Sequence, residues 1–111
     1  MSSTPTVNAS GSQTATINTE HQLVDITSAG TYLLKVDTVN MADGDILALR
    51  MYTKINGGTL RVCYVEWFYD AQDTDDLIKS SIPIPTADEC KFTLKQTAGT
   101  GRAFVWEVLA L

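Results

Sequence analysis

From residue 20 onward the apolar side chains recur every second residue and nowhere at helical spacing, so the chain is committed to strands. Leu23, Asp25 and Thr27 alternate with Val24 and Ile26 before Ser28-Ala29-Gly30 turns the chain. Tyr32, Leu34 and Val36 then alternate with Lys35 and Asp37, and the two runs read as a hairpin. After the Asp43-Gly44 turn, Leu47, Leu49, Met51 and Ile55 share one face and Arg50, Tyr52 and Lys54 the other, as in a half-buried antiparallel strand. Asn56-Gly57-Gly58 follows directly and predicts a tight hairpin, because both central residues of such a turn need positive φ.

The partner of that hairpin, Leu60 to Asp70, is apolar on both faces. Leu60, Val62, Tyr64 and Phe68 alternate with Cys63, Val65, Trp67 and Tyr69. Leu77 to Pro85 reads as a short strand that Pro83 and Pro85 confine to a sheet edge. Cys90, Phe92 and Leu94 alternate with Lys91, Thr93 and Lys95, and Thr97 to Gly101 predicts a third hairpin into a last strand, Arg102 to Leu111. The sum is seven or eight short strands about ten residues apart, which predicts an all-β antiparallel sandwich of jelly-roll type, with a partly closed barrel as the competing architecture.

Residues 1–19 differ from the rest. They carry no charge, are rich in Ser, Thr, Asn and Gln, and hold Val7, Ala15 and Ile17 as their main apolar anchors. The reading is a polar N-terminal arm, 1–19, preceding a β-sandwich domain, 20–111. The arm is expected either to be disordered or to pair as an added strand with a sheet edge.

A chain of 111 residues can bury roughly 65% of its unfolded surface around one core, so neither disulfides nor metals are required. Its net charge of −5 opposes capture by a phosphate backbone or an anionic membrane, and no nucleic-acid or membrane partner is expected. The polar start, with no Lys or Arg before residue 20, does not resemble a secretory leader, and synthesis in a cytoplasm is expected. Cys63 and Cys90 are then expected to be reduced, buried thiols.

Chemistry is sparse. A single histidine, His21, removes most nucleophile–base arrangements. Asp70, Asp73, Asp75 and Asp76 crowd one loop, but without the spacing of a calcium-binding loop, and read as solvated carboxylates. Asp43 and Asp45 flank a glycine turn, and Glu66 and Glu107 sit singly in strands, so neither pair has catalytic spacing. No enzymatic activity, no cofactor and no metal are expected. Trp67, Tyr69, Tyr64 and Trp106 carry more information, because a patch such as Cys63, Val65, Trp67 and Tyr69 is rarely left in water by a monomer. Ala103, Val105 and Leu109 repeat the feature in the last strand. These seven residues are the candidate oligomer interface, and Val7, Ala15 and Ile17 the candidate contacts of the arm with a partner surface.

With the strands placed, residues 29–111 resemble small structural proteins of tailed bacteriophages, of the capsid decoration or cement type. The carriers are Ala29 to Asp37, Ala42 to Arg50, and Leu94 to Phe104. The resemblance implies an oligomeric β-sandwich on the outer capsid surface of the virion that bridges and stabilises neighbouring copies of the major capsid protein, its principal partner. A homotrimer at local threefold positions is expected, with residues 60–69 and 103–111 between subunits, and Val7, Ala15 and Ile17 of the arm are then the candidate contacts with a capsid. Two other functions fit the same residues: a carbohydrate- or receptor-binding fibre tip, with Trp67, Tyr69 and Tyr52 stacking on sugar rings, or a head–tail or tail structural subunit.

Overall fold

A computed structural model describes residues 4–111. Among them are nine strands and no helix: β1 (Thr6–Thr14), β2 (Glu20–Ile26), β3 (Gly30–Asp37), β4 (Ile46–Thr53), β5 (Arg61–Tyr69), β6 (Ile78–Ser80), β7 (Ile84–Thr86), β8 (Cys90–Ala98) and β9 (Ala103–Ala110). They form two antiparallel sheets. Sheet A has the order β1-β9-β3-β6, with β7 also on β3, and sheet B the order β2-β8-β4-β5.

The pairing has a simple logic. β4 pairs with β5, β3 with β6 and β7, β2 with β8, and β1 with β9, all antiparallel. The chain is therefore one long hairpin, folded back at residues 56–58 and rolled so that successive rungs fall alternately in the two sheets, which is the jelly roll. Asn56 (φ 53°) and Gly57 (φ 68°) supply the positive φ values that this fold-back needs.

The roll corrects two of the three expected hairpins. β2 lies in sheet B and β3 in sheet A, and β8 and β9 are divided the same way, so Ser28–Gly30 and Thr97–Gly101 carry the chain between sheets. Alternation followed by turn residues looks alike in both cases, because turn residues mark where a strand ends and not which sheet the next strand joins. The expected count of seven or eight strands becomes nine, since Leu77 to Pro85 splits into β6 and β7. Ser81 bridges the gap: its N–H donates to the Leu34 carbonyl at 2.8 Å and its Oγ accepts from Leu34 N–H at 3.0 Å. Pro85 sits on the edge of sheet A, where a missing N–H costs no ladder bond.

The core lies between the sheets. Tyr32, Leu34 and Val36 of β3 and Phe104 and Val108 of β9 face Leu47, Leu49 and Met51 of β4 and Phe92 and Leu94 of β8. The period-two pattern puts each of these inward and leaves the intervening residues on the two broad outer faces.

The polar segment at the start belongs to this body. β1 pairs with β9 through eight registered positions, from Thr6 opposite Ala110 to Thr14 opposite Ala103. Ala15, expected as a capsid contact, is 5% exposed in the chain's own core and donates its N–H to Arg102 O at 2.8 Å. Sequence alone left a choice between a tail and an added strand, and the edge that accepts the strand is the chain's own β9.

Candidate interaction faces

The outer face of sheet B is built in rows across its strands. Trp67, Ala48, Lys95 and Glu20 form one row, Val65, Arg50, Thr93 and Gln22 the next, and Val62, Tyr52, Lys91 and Asp25 a third. Directly opposed residues share a face, so Val65, Trp67 and Tyr69 make an exposed apolar stripe along β5, with Trp67 43% exposed. The register slips between Met51 and Tyr52, whose partners are Tyr64 and Val62, and this bulge takes Cys63 out of the regular row and puts Val62 into it. Cys63 was expected to be buried and is exposed, with its thiol donating to the Met51 carbonyl at 3.4 Å. Partial desolvation of the sulfur still raises the Cys63 pKa, and burial pushes the Cys90 thiol up to about 12, so neither is poised as a thiolate.

A polar network lies beside the stripe. Glu20 Oε2 accepts from Thr93 Oγ1 at 2.6 Å and from the Tyr52 hydroxyl, and Arg50 Nη1 stands 3.5 Å from Glu20 Oε1. Burial pushes the Glu20 carboxyl up, but the two hydroxyls and the Arg50 charge outweigh it and hold the group below its ordinary value. The Tyr52 phenol moves the other way, raised by burial and then by the Glu20 carboxylate. Arg50 lies 6.0 Å from the Trp67 ring centroid and the Lys91 ammonium 4.4 Å from that of Tyr52, both within cation–π range. The aromatic and basic side chains are thereby held in place without covering Trp67.

The outer face of sheet A is different in kind. Val7, Leu109 and Leu33 make an apolar row, Ser10, Glu107 and Lys35 a polar one, and beyond it lies a shallow depression of about 510 Å3 whose lining includes Val105, Asp37 and Ile78, with Asp37 directly opposite Ile78. Val105 is 59% exposed there, and Lys35, Asp37 and Glu107 surround it. Ala103 and Leu109, also expected at an interface, are half-buried on this face, and Val7 is exposed at its margin. Ile17 is half-buried in the β1–β2 connection, beside Asn18, whose N–H donates to Gln96 O at 2.8 Å.

The structure thus sorts the seven candidate interface residues into two groups on opposite faces of the sandwich. Cys63, Val65, Trp67 and Tyr69 belong to sheet B, and Ala103, Val105 and Leu109 to sheet A. Arg50, Glu20, Thr93 and Lys91 beside the first stripe, and Ile78 beside the second, were not singled out as site residues. Their alternation is visible along each strand, but their meeting depends on the register of β4 with β8 and of β3 with β6, which no local pattern encodes.

Other sequence candidates take local roles. Asp70 Oδ1 accepts from Gly44 N–H at 2.9 Å, Asp73 Oδ1 from Asp75 N–H at 3.0 Å, and Asp76 pairs with Lys79 at 2.9 Å. No group of three metal-ligating side chains is gathered among the described residues. His21 Nε2 accepts from Thr16 N–H at 3.0 Å and so ties the β1–β2 connection to β2.

No protein-family model and no curated protein matches the chain. A solved structure described as that of the infectious bursal disease virus Gx strain is similar over 96% of this chain and 32% of the other, with 17% sequence identity and a TM-score of 0.45.

Proposed function

We propose that this chain is a structural subunit of a virion, a capsid decoration protein that acts by surface contact and performs no chemistry. The observation that carries the reading is the pair of exposed apolar surfaces, Val65-Trp67-Tyr69 and Val105-Ile78, on opposite faces of a small jelly roll. Patches of this kind in water call for a covering protein surface. The resemblance of residues 29–111 to phage decoration proteins supplies the virion setting and the partner, the major capsid protein. In this reading a closed homo-oligomer, a trimer at local threefold positions, sits on the outer shell. It stabilises the shell by mass action, because disassembly must release every bound copy.

Co-sedimentation with empty, expanded capsids of the phage that encodes the chain tests this directly. Saturable binding at a fixed number of copies per shell supports it, and absence of binding at concentrations that saturate known decoration proteins overturns it.

A second reading draws on the polar network of sheet B. Trp67 and Tyr69 stand exposed on the same face as Tyr52, with Arg50 6.0 Å from the Trp67 ring, an arrangement that also suits stacking on a sugar ring. Quenching of Trp67 fluorescence by soluble glycans, lost in Trp67→Phe, would favour a receptor-binding subunit.

A further inference from the structure

We propose that the two faces bind each other: the Trp67 stripe on sheet B of one copy seats in the Val105–Ile78 depression on sheet A of the next. The argument begins with placement. An isologous interface uses one patch twice about a twofold axis, whereas two different apolar patches on opposite faces of one subunit are matched by a heterologous, head-to-tail contact. Such a contact propagates from copy to copy, closing into a ring if the rotation between copies permits and running on as an open stack if it does not.

Charge points the same way. Around the depression, Asp37 and Glu107 outnumber Lys35, and the Asp73–Asp76 loop lies next to Ile78. Around the Trp67 stripe, Arg50 and Glu20 pair with each other and Lys91 and Lys95 stand against Asp25, a surplus of one positive charge. One face therefore offers an apolar stripe with a net positive surround, and the other a depression lined by Val105 and Ile78 with an acidic surround. Stacking two copies of either face would oppose like charges, so complementarity selects the mixed pair.

Size permits it. The chain measures 41 × 31 × 19 Å, and a face spanned by its two longer dimensions exceeds the roughly 800 Å2 per partner of a standard interface. Trp67 has the character of an anchor: a large aromatic at the middle of an apolar stripe, with its neighbouring Arg50 held in place by Glu20.

The inference deepens the structural-subunit reading but is tested on the isolated chain, so its failure leaves shell binding standing and loss of shell binding leaves it untouched. The test is sedimentation of wild type, Trp67→Glu, Val105→Glu and an equimolar mixture of the two variants. Wild type is expected to form species larger than a dimer that weaken with added salt. Each variant alone is expected to associate at least about thirtyfold more weakly, as on loss of an interface anchor. The mixture is expected to form a dimer and stop there, because it retains one intact Trp67 face and one intact Val105 face. A wild type that is monomeric at every concentration overturns the proposal. So does a Val105→Glu variant that associates like wild type, which would mean that the Trp67 face pairs with itself, and so does a mixture that stays monomeric. Val65→Glu and Ile78→Glu form a second pair, also at exposed positions, on which the same outcomes apply if either first variant fails to fold.

Discussion

Asp45 Oδ2 accepts a hydrogen bond from Arg102 Nε at 2.8 Å and so joins the β3–β4 loop to the crossing between β8 and β9. Asp45 is 1% exposed, and the same oxygen accepts from Ala42 N–H at 2.9 Å. Gln96, fully buried, completes the corner by donating to the carbonyls of Ala98 and Thr100 and accepting from Arg102 N–H. This corner holds the last turn between sheets. Arg102→Met, which leaves a buried carboxylate without its cation, is expected to cost about 2 kcal/mol, less than a fully buried pair because Arg102 is partly exposed. Chemical denaturation of the variant against wild type measures it.

Gly99 lies against this carboxylate with φ +88°, and a Cβ there would run into Oδ1 and come within 2.9 Å of Cγ of Asp45. Gly99→Ala combines left-handed backbone strain with that collision and is expected to destabilise by about 3 kcal/mol. At Gly44, also at positive φ but with open space around it, alanine is expected to bring only the strain, about 1 kcal/mol. A pair of denaturant midpoints separates the two costs.

Acid is expected to loosen the fold through the same corner. Burial pushes the Asp45 carboxyl up, but the Arg102 and Ala42 hydrogen bonds prevail and lower it below its ordinary 3.8, and Glu20 is lowered below 4.5. A carboxylate depressed in the folded state adds stability above its unfolded pKa and loses it as pH falls through the folded value. Asp25 and Glu89 share a hydrogen bond that raises the first carboxyl and lowers the second, so the two act in opposite directions on the pH dependence. The expected result is a thermal midpoint that falls between about pH 5 and about pH 3, with a shallower slope in Asp45→Asn. A midpoint as steep in that variant as in wild type would remove Asp45 from the account.

Gly11 stands opposite Trp106, and a Cβ on it would lie 3.3 Å from the indole Cζ2. β1 thus covers the Trp106 side of β9 and leaves no room for a side chain. Deleting residues 1–14 is expected to turn β9 into an open edge, red-shift Trp106 emission, lower the midpoint of unfolding and promote aggregation. Gly11→Val is expected to displace the ring at a cost of about 1 kcal/mol. Tryptophan emission on both variants, read in the Trp67→Phe background, isolates Trp106.

Surface and core could be told apart in the sequence; the partners could not. The inward row Leu47, Leu49, Met51 and the outward row Arg50, Tyr52 follow from parity alone, because a period of two leaves each residue one choice of face. The Asn56-Gly57 fold-back was equally legible, since its positive φ values restrict the residues allowed. The roll was not: Thr97–Gly101 looks like a hairpin until β9 is seen to pair with β1 and β3, ninety and seventy residues away along the chain by rough count, a choice made by core packing and edge coverage. The β5 bulge likewise leaves no mark in the alternation, so Cys63 was grouped with Val65 and Trp67 although the pairing gives its place to Val62. The polar composition of residues 1–14 left a tail and an added strand equally open, because an edge strand over a single tryptophan needs little apolar surface of its own.

The central claim is that this jelly roll works by holding a shell together. The temperature at which filled heads release their DNA, measured on shells lacking the chain and titrated with it, tests that claim most directly. The account predicts a release temperature that climbs with added protein until the shells are saturated, and smaller gains with Trp67→Glu. Shells that bind the protein to saturation yet release their DNA at an unchanged temperature would contradict it.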